Sequence, residues 1–166
     1  MSIGPRTRIP FRRRREGRTN YRRRLNLLKS GKPRAVVRKS LQGVSVQLIV
    51  YSATGDRVIA CAVSKDLQKF GWTLSTGNTP AAYLTGFLAG KRAKAKGITT
   101  AVMDIGLGTP TPGSKVFASL KGLLDSGIEI SHDEGVLPRE ERLQGGHLGE
   151  NVVQAFKEVK TKMEAT

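Results

Sequence analysis

Positive charge is crowded at one end of this chain, and that decides which part can fold alone. Of the 29 Lys and Arg, fifteen lie in residues 1–39 beside a single acid, Glu16, a net +14 out of the total of +16. The remainder of the 166 residues sets fourteen basic against twelve acidic side chains, a net +2. A segment so charged repels itself and buries little, so it needs a polyanionic partner to become ordered. A nearly neutral body with an apolar pattern folds without help. The chain therefore reads as a basic arm on a body long enough for one domain with a real core, and 38% of all residues are hydrophobic.

The arm carries the strongest functional signal, "PFRRRREGRTNYRRR". Eight arginines and one acid fall between Arg12 and Arg24, with Phe11 and Tyr21 among them. Arginine pairs bidentately with phosphate and stacks on bases, whereas a merely solvated run usually mixes Lys with Glu. Nucleic acid is the expected partner, and composition does not separate RNA from DNA. The candidate contacts are Arg6, Arg8, Arg12, Arg13, Arg14, Arg15, Arg18, Tyr21, Arg22, Arg23 and Arg24. Lys29, Lys32, Arg34, Arg38 and Lys39 extend the same basic surface. Gly4, Pro5, Pro10 and Gly17 predict an extended arm over residues 1–18 rather than a helix. Residues 19–30 then predict a short helix, stopped by Gly31 and Pro33, with Tyr21, Leu25 and Leu28 on one stripe. That stripe predicts docking on the body, with base stacking as the alternative role for Tyr21.

Beyond the arm, "RAVVRKS", "VSVQLIV" and "RVIACAV" read as three strands. The short links between them imply an antiparallel meander, and the third, apolar on both faces, reads as a central strand. Thr79 and Pro80 predict a helix start, and the helix runs to about Lys96 before Gly97. Its small residues Ala82, Gly86 and Gly90 imply close packing on the sheet. Its end gathers Lys91, Arg92, Lys94 and Lys96, which suit the helix dipole and are candidate phosphate contacts. A strand near residues 99–104, a helix over 114–126 and "IEI" complete a parallel crossover unit. Residues 131–150 read as irregular. Asn151 and Gln154 resemble a capping box for a final helix marked by Val152, Phe156, Val159 and Met163. The expected fold is mixed α/β in a single domain. A three-stranded antiparallel meander is extended by parallel crossover strands and helices, with a basic N-terminal arm and a C-terminal helix. Its expected divisions are arm and short helix over 1–30, α/β body over 31–130, and irregular segment plus helix over 131–166.

Several chemistries are not expected. "GLGTPTPGSK" spaces Gly108 and Gly113 as a phosphate-binding loop would, between a strand and a helix. Such a loop needs Lys and then Ser or Thr after the second glycine, and here Ser114 precedes Lys115. Pro110 and Pro112 also remove two backbone N–H groups. What remains at Ser114 and Lys115 is either a seat for one backbone phosphate or a structural turn. His132, Asp133, Glu134, His147, Glu150 and Asp104 match no metal-ligand spacing, so neither a metal nor hydrolysis is expected. The single cysteine, Cys61, excludes an internal disulfide and reads as a small core residue. The longest charge-free stretch that looks membrane-like, Gly77–Gly90, falls short of the roughly 20 residues a membrane span needs. The clustered arginines do not read as a targeting peptide.

Three long blocks carry a resemblance: "FRRRREGRTNYRRRL", "GNTPAAYLTGFLAGKRA" and "TPGSKVFASLKGLLDSGIEISH". They resemble the universal large-subunit ribosomal protein family called L-eighteen, in its archaeal form. The resemblance implies a non-enzymatic protein without cofactor or metal, located in cytoplasmic ribosomes. It implies binding to 5S rRNA and a part in attaching that RNA to 23S rRNA in the central protuberance, beside proteins such as the L-five family. The family's RNA-binding arm falls on Arg6, Arg8, Arg12 to Arg15, Arg18, Tyr21 and Arg22 to Arg24. "TPTPGSK" and "RLQGGHLGEN" also match family blocks, while Ser131 stands where the family pattern has proline. A general nucleic-acid-binding protein or RNA chaperone is the alternative that the same arm allows.

Overall fold

The computed structural model describes residues 8–165. Arg6, a candidate contact, lies outside them. The arm is not wholly extended. Between Pro10 and Gly17 no residue breaks a helix, and Arg12–Arg15 close one helical turn, α1, in which Arg15 N–H reaches Phe11 O at 3.1 Å. Gly17, at φ +65°, turns the chain out of it. The second helix, α2 (Tyr21–Leu28), is capped by Asn20, whose side chain accepts from Arg23 N–H at 3.0 Å.

Five strands form one sheet in the order β3-β2-β1-β4-β5. β1 (Arg34–Lys39), β2 (Val44–Val50) and β3 (Arg57–Val63) are the antiparallel meander, with Val37 opposite Val46 and Val46 opposite Ala62. Ala35, Val37, Val44, Val46, Leu48, Ala60 and Ala62 point into the core, as the alternation demands. β3 is an edge strand, not a central one. Val58, Cys61 and Val63 lie exposed, so Cys61 is not a core residue. A 3-10 segment, Ser64–Phe70, follows, and its Leu67 is buried together with Trp72 in the core.

α3 (Thr79–Lys94) begins one residue earlier than its sequence suggests. Asn78 is the cap, accepting from Ala81 N–H at 2.9 Å, and Pro80 sits in the first turn. Nearly every residue from Thr79 to Gly90 is buried, as befits a helix covered on all sides. β4 (Thr100–Asp104) joins β1 in parallel. α4 (Lys115–Asp125) then crosses back to β5 (Glu129–Ile130), parallel to β4. The small residues of α3 make their closest approach to α4 rather than to the sheet. A Cβ on Gly86 would strike the Ser119 carbonyl, and one on Gly122 would strike the Tyr83 carbonyl.

The segment 131–150 is more ordered than its glycines suggest. It holds a short helix, α5 (Glu140–Gln144), whose Leu143 is buried. α6 (Glu150–Glu164) starts directly after Gly149, so Asn151 lies inside the helix rather than capping it. Phe156, Val159 and Met163 complete the core. Among the described residues no helix is long and apolar enough to cross a membrane.

Candidate nucleic-acid interface

The site is built where the parallel strands β1 and β4 meet. Their register sets Val36 opposite Asp104 and Arg34 opposite Val102, on the sheet face away from α3 and α4. Arg34 is only 3% exposed. A buried guanidinium needs paired acids, and it has two. Nη1 donates to Asp104 Oδ2 at 2.8 Å, and Nη2 donates to Asp56 Oδ2 at 2.6 Å. Asp104 also accepts from Arg38 at 3.3 Å and from Gly106 N–H at 2.8 Å. Burial pushes the Asp104 carboxyl up, but the Gly106 N–H and the charges of Arg38 and Arg34 outweigh it and hold it below the usual carboxylate range.

α2 is fastened to this network from outside. Arg24 Nη2 donates to both oxygens of Asp56, at 2.9 and 2.8 Å, and Arg23 Nη1 donates to Gly106 O at 2.9 Å. Gly106 has φ +65°, and a Cβ there would meet the Arg38 guanidinium at 2.9 Å. A side chain there is strained by the left-handed backbone and would also displace the movable end of Arg38. Of the expected apolar stripe, Leu28 is half-buried, but Tyr21 and Leu25 do not dock on the body. Tyr21 is 36% and Leu25 56% exposed, because two arginines supply the contact. Tyr21 instead meets Phe11, with ring centroids 5.5 Å apart.

The remaining arm arginines face solvent. Arg18 and Arg12 approach Glu16 at 3.1 and 3.7 Å, and Arg13 donates to Thr19 at 2.9 Å. Arg8, Arg14, Arg15 and Arg22 are exposed, and their side chains have no hydrogen-bond or ion-pair partner among the described residues. Lys29, Lys32 and Lys39 are likewise exposed beside them. The body's other candidates are mostly turned inward. Lys91 donates to the carbonyls of Met163 and Glu164 at the end of α6, at 2.6 and 2.9 Å. Arg92 pairs with Asp66 at 2.7 Å and also holds the Cys61 carbonyl, while Lys94 is exposed. Lys115 reaches back to Gly77 O at 2.9 Å, tying α4 to the loop before α3, and the Ser114 side chain makes no cap bond. The Lys115 ammonium is thus engaged within the chain. His132 Nδ1 lies 2.7 Å from Ile130 O, and among the described residues no three His, Cys, Asp or Glu gather to hold a metal.

The surface thus carries exposed arginines without side-chain partners among the described residues and two exposed aromatic rings, on an arm fastened to the body by an ion pair and a hydrogen bond. The family model described as ribosomal large subunit proteins 60S L5 and 50S L18 matches residues 5–99 and 93–133. The chain belongs to this family. Among curated relatives, the large ribosomal subunit protein uL18 of Natronomonas pharaonis is 54% identical over 154 residues, covering 93% of this chain and 84% of that one. The uL18 proteins of Haloarcula marismortui and Haloferax volcanii are each 53% identical, over 150 and 154 residues. Those alignments cover 90% and 93% of this chain, and 80% and 84% of the relatives. Membership makes this a large-subunit ribosomal protein of archaeal type. Sequence reasoning missed Asp56, Gly106 and the pairing of Asp104 with Arg34. The available signal was the scarcity of acids: in so basic a chain, an acid beside a strand end has cations to gather.

Proposed function

We propose that this protein binds 5S rRNA through its arginine arm and helps attach that RNA to 23S rRNA in the central protuberance of the large subunit. The observation that carries the reading is the arm itself. Arg8, Arg14, Arg15 and Arg22 stand exposed and unpaired next to Phe11 and Tyr21, an array that offers forked donors to phosphates and ring faces to bases. Family membership supports the choice of ribosomal RNA over other polyanions. In this reading the protein is no enzyme and takes no cofactor. Its place is the cytoplasmic ribosome, and its neighbours include a protein of the L-five family, distinct from the 60S L5 of its own family. Residues 1–30 act as the RNA-binding unit, 31–130 as the scaffold and 131–166 as the covering segment. Lys29, Lys32, Lys39 and Lys94 add exposed charge, whereas Arg34, Lys91, Arg92 and Lys115 contribute chiefly by holding the scaffold. The test is capture of total cellular RNA on the purified protein, followed by sizing. Selective recovery of 5S rRNA supports the reading, and indiscriminate recovery of RNA and duplex DNA would replace it with a general nucleic-acid binder.

A further inference from the structure

We propose that Asp56 is a positioning residue for RNA binding: it orders α2, and with it the arm, before RNA arrives. This rests on the RNA-binding reading of the arm. α2 has eight residues and none is buried. A helix so short is marginal in water by itself, so tethers must hold it. Two do, Arg23 on the Gly106 carbonyl and Arg24 on Asp56. The second is the stronger by chemistry, being charge-assisted, with the single nitrogen Nη2 of Arg24 within hydrogen-bond distance of both Asp56 oxygens. Its base is rigid, because Asp56 is gripped from beneath by Arg34, which is itself fixed by Asp104. Arg24 and Arg34 converge on the same Asp56 oxygen, at 2.8 and 2.6 Å. Without that carboxylate two guanidinium groups would face each other, and α2 would be pushed off the sheet. An arm held in place loses less conformational freedom on binding and so binds more tightly.

The inference inverts the simplest electrostatic expectation. Asp56 is an acid on the face that meets a polyanion, so removing it should tighten RNA binding if charge alone mattered. Positioning requires the reverse. In the full-length protein without RNA, Asp56→Asn should speed tryptic cleavage after Arg22, Arg23 and Arg24 about tenfold, as expected when one charge-assisted pair is removed. Its affinity for 5S rRNA should weaken by about the same factor. Glu158→Gln, an identical charge change at an exposed site on α6, should leave both unchanged, and Asp56→Glu should recover part of each. If Asp56→Asn does not fold, Arg24→Gln cuts the same pair from the arm side and leaves Arg34 with Asp56. It must then show the faster cleavage after Arg22 and Arg23. Unchanged cleavage in these variants overturns the proposal, and so does 5S rRNA binding by Asp56→Asn as tight as that of Glu158→Gln. If the unaltered protein does not select 5S rRNA, the functional reading falls, while cleavage still decides whether Asp56 orders the arm.

Discussion

Asp104→Asn keeps a side chain's shape and removes the charge on which the arm's foundation rests. Asp104 is 7% exposed and accepts from Arg34, Arg38 and Gly106. An amide has one acceptor oxygen, so it can serve Gly106 N–H or Arg34 but not both, and its own N–H2 then faces a donor. Arg34 has little slack, because its Nε already lacks a hydrogen-bond partner among the described residues. Breaking a buried ion pair from one side costs about 3–5 kcal/mol. Arg34 keeps Asp56, which places the expected loss near the lower end, about 3 kcal/mol. For a chain of this length that lowers the melting temperature by roughly 6–12 °C. Urea denaturation followed by circular dichroism measures it. A double-mutant cycle with Arg34→Met isolates the pair, with an expected coupling of about 2 kcal/mol. A loss below about 1 kcal/mol, or two costs that simply add, would refute the view that Asp104 and Arg34 form one unit.

The same carboxylate sets an acid limit. The Asp104 and Asp66 carboxyls are held below their unfolded value, so the stability they contribute is present above about pH 5 and is lost as pH falls below about 4. Stability measured from pH 7 to 3 should show that fall, and Asp104→Asn should flatten it. Gly122→Ala gains up to about 1 kcal/mol of helix propensity but drives a Cβ into the Tyr83 carbonyl and Phe87 N, so a net loss of about 2 kcal/mol is expected in thermal melting. Replacing Arg12–Arg15 and Arg22–Arg24 by Ala should flatten the salt dependence of RNA binding, at about 0.7–0.9 of a logarithmic unit for each phosphate no longer neutralised. Replacement by Lys should keep the slope and lose selectivity for 5S rRNA; equal selectivity would remove the role given to the guanidinium fork. Tyr21→Ala, at a ring that touches Phe11 rather than the core, should leave the melting temperature unchanged and weaken RNA binding by about 1–3 kcal/mol. A lowered melting temperature would return Tyr21 to a packing role.

What the sequence disclosed follows the physics of periodicity. β2 alternates Val44, Val46 and Leu48 inward, and the crossover β4–α4–β5 was readable from an apolar strand, an amphipathic helix and a second apolar run. The place of β3 was not readable, since Val58, Cys61 and Val63 make both faces apolar although one is exposed at the sheet edge. Strand order is a long-range property that no local pattern carries. The arm shows the same limit in its charges. Eight arginines between Arg12 and Arg24 announce a polyanion, but their spacing does not tell Arg14 and Arg22, which are free, from Arg23 and Arg24, which grip the body. That distinction is set by Asp56, in a turn, and by Gly106, at a strand end. The two residues lie 50 positions apart in sequence and are brought together where Arg34 on β1 bridges Asp56 and Asp104, beside the parallel register of β1 with β4.

The loop from Gly106 to Lys115 shows why a local motif misleads when its polar groups are already in use. Several groups of the loop that suggested a phosphate cradle have partners within the chain. Gly106 N–H serves Asp104, its carbonyl receives Arg23, Gly113 N–H serves the Val136 carbonyl at 2.9 Å, and Lys115 closes on Gly77. An amide committed to a protein acceptor must break that bond to meet phosphate, so the loop's geometry is directed inward. Glycine is favoured at 106 by its φ of +65°. Several of the loop's donors are thus engaged within the chain, whereas the side chains of Arg8, Arg14, Arg15 and Arg22 have no partner among the described residues.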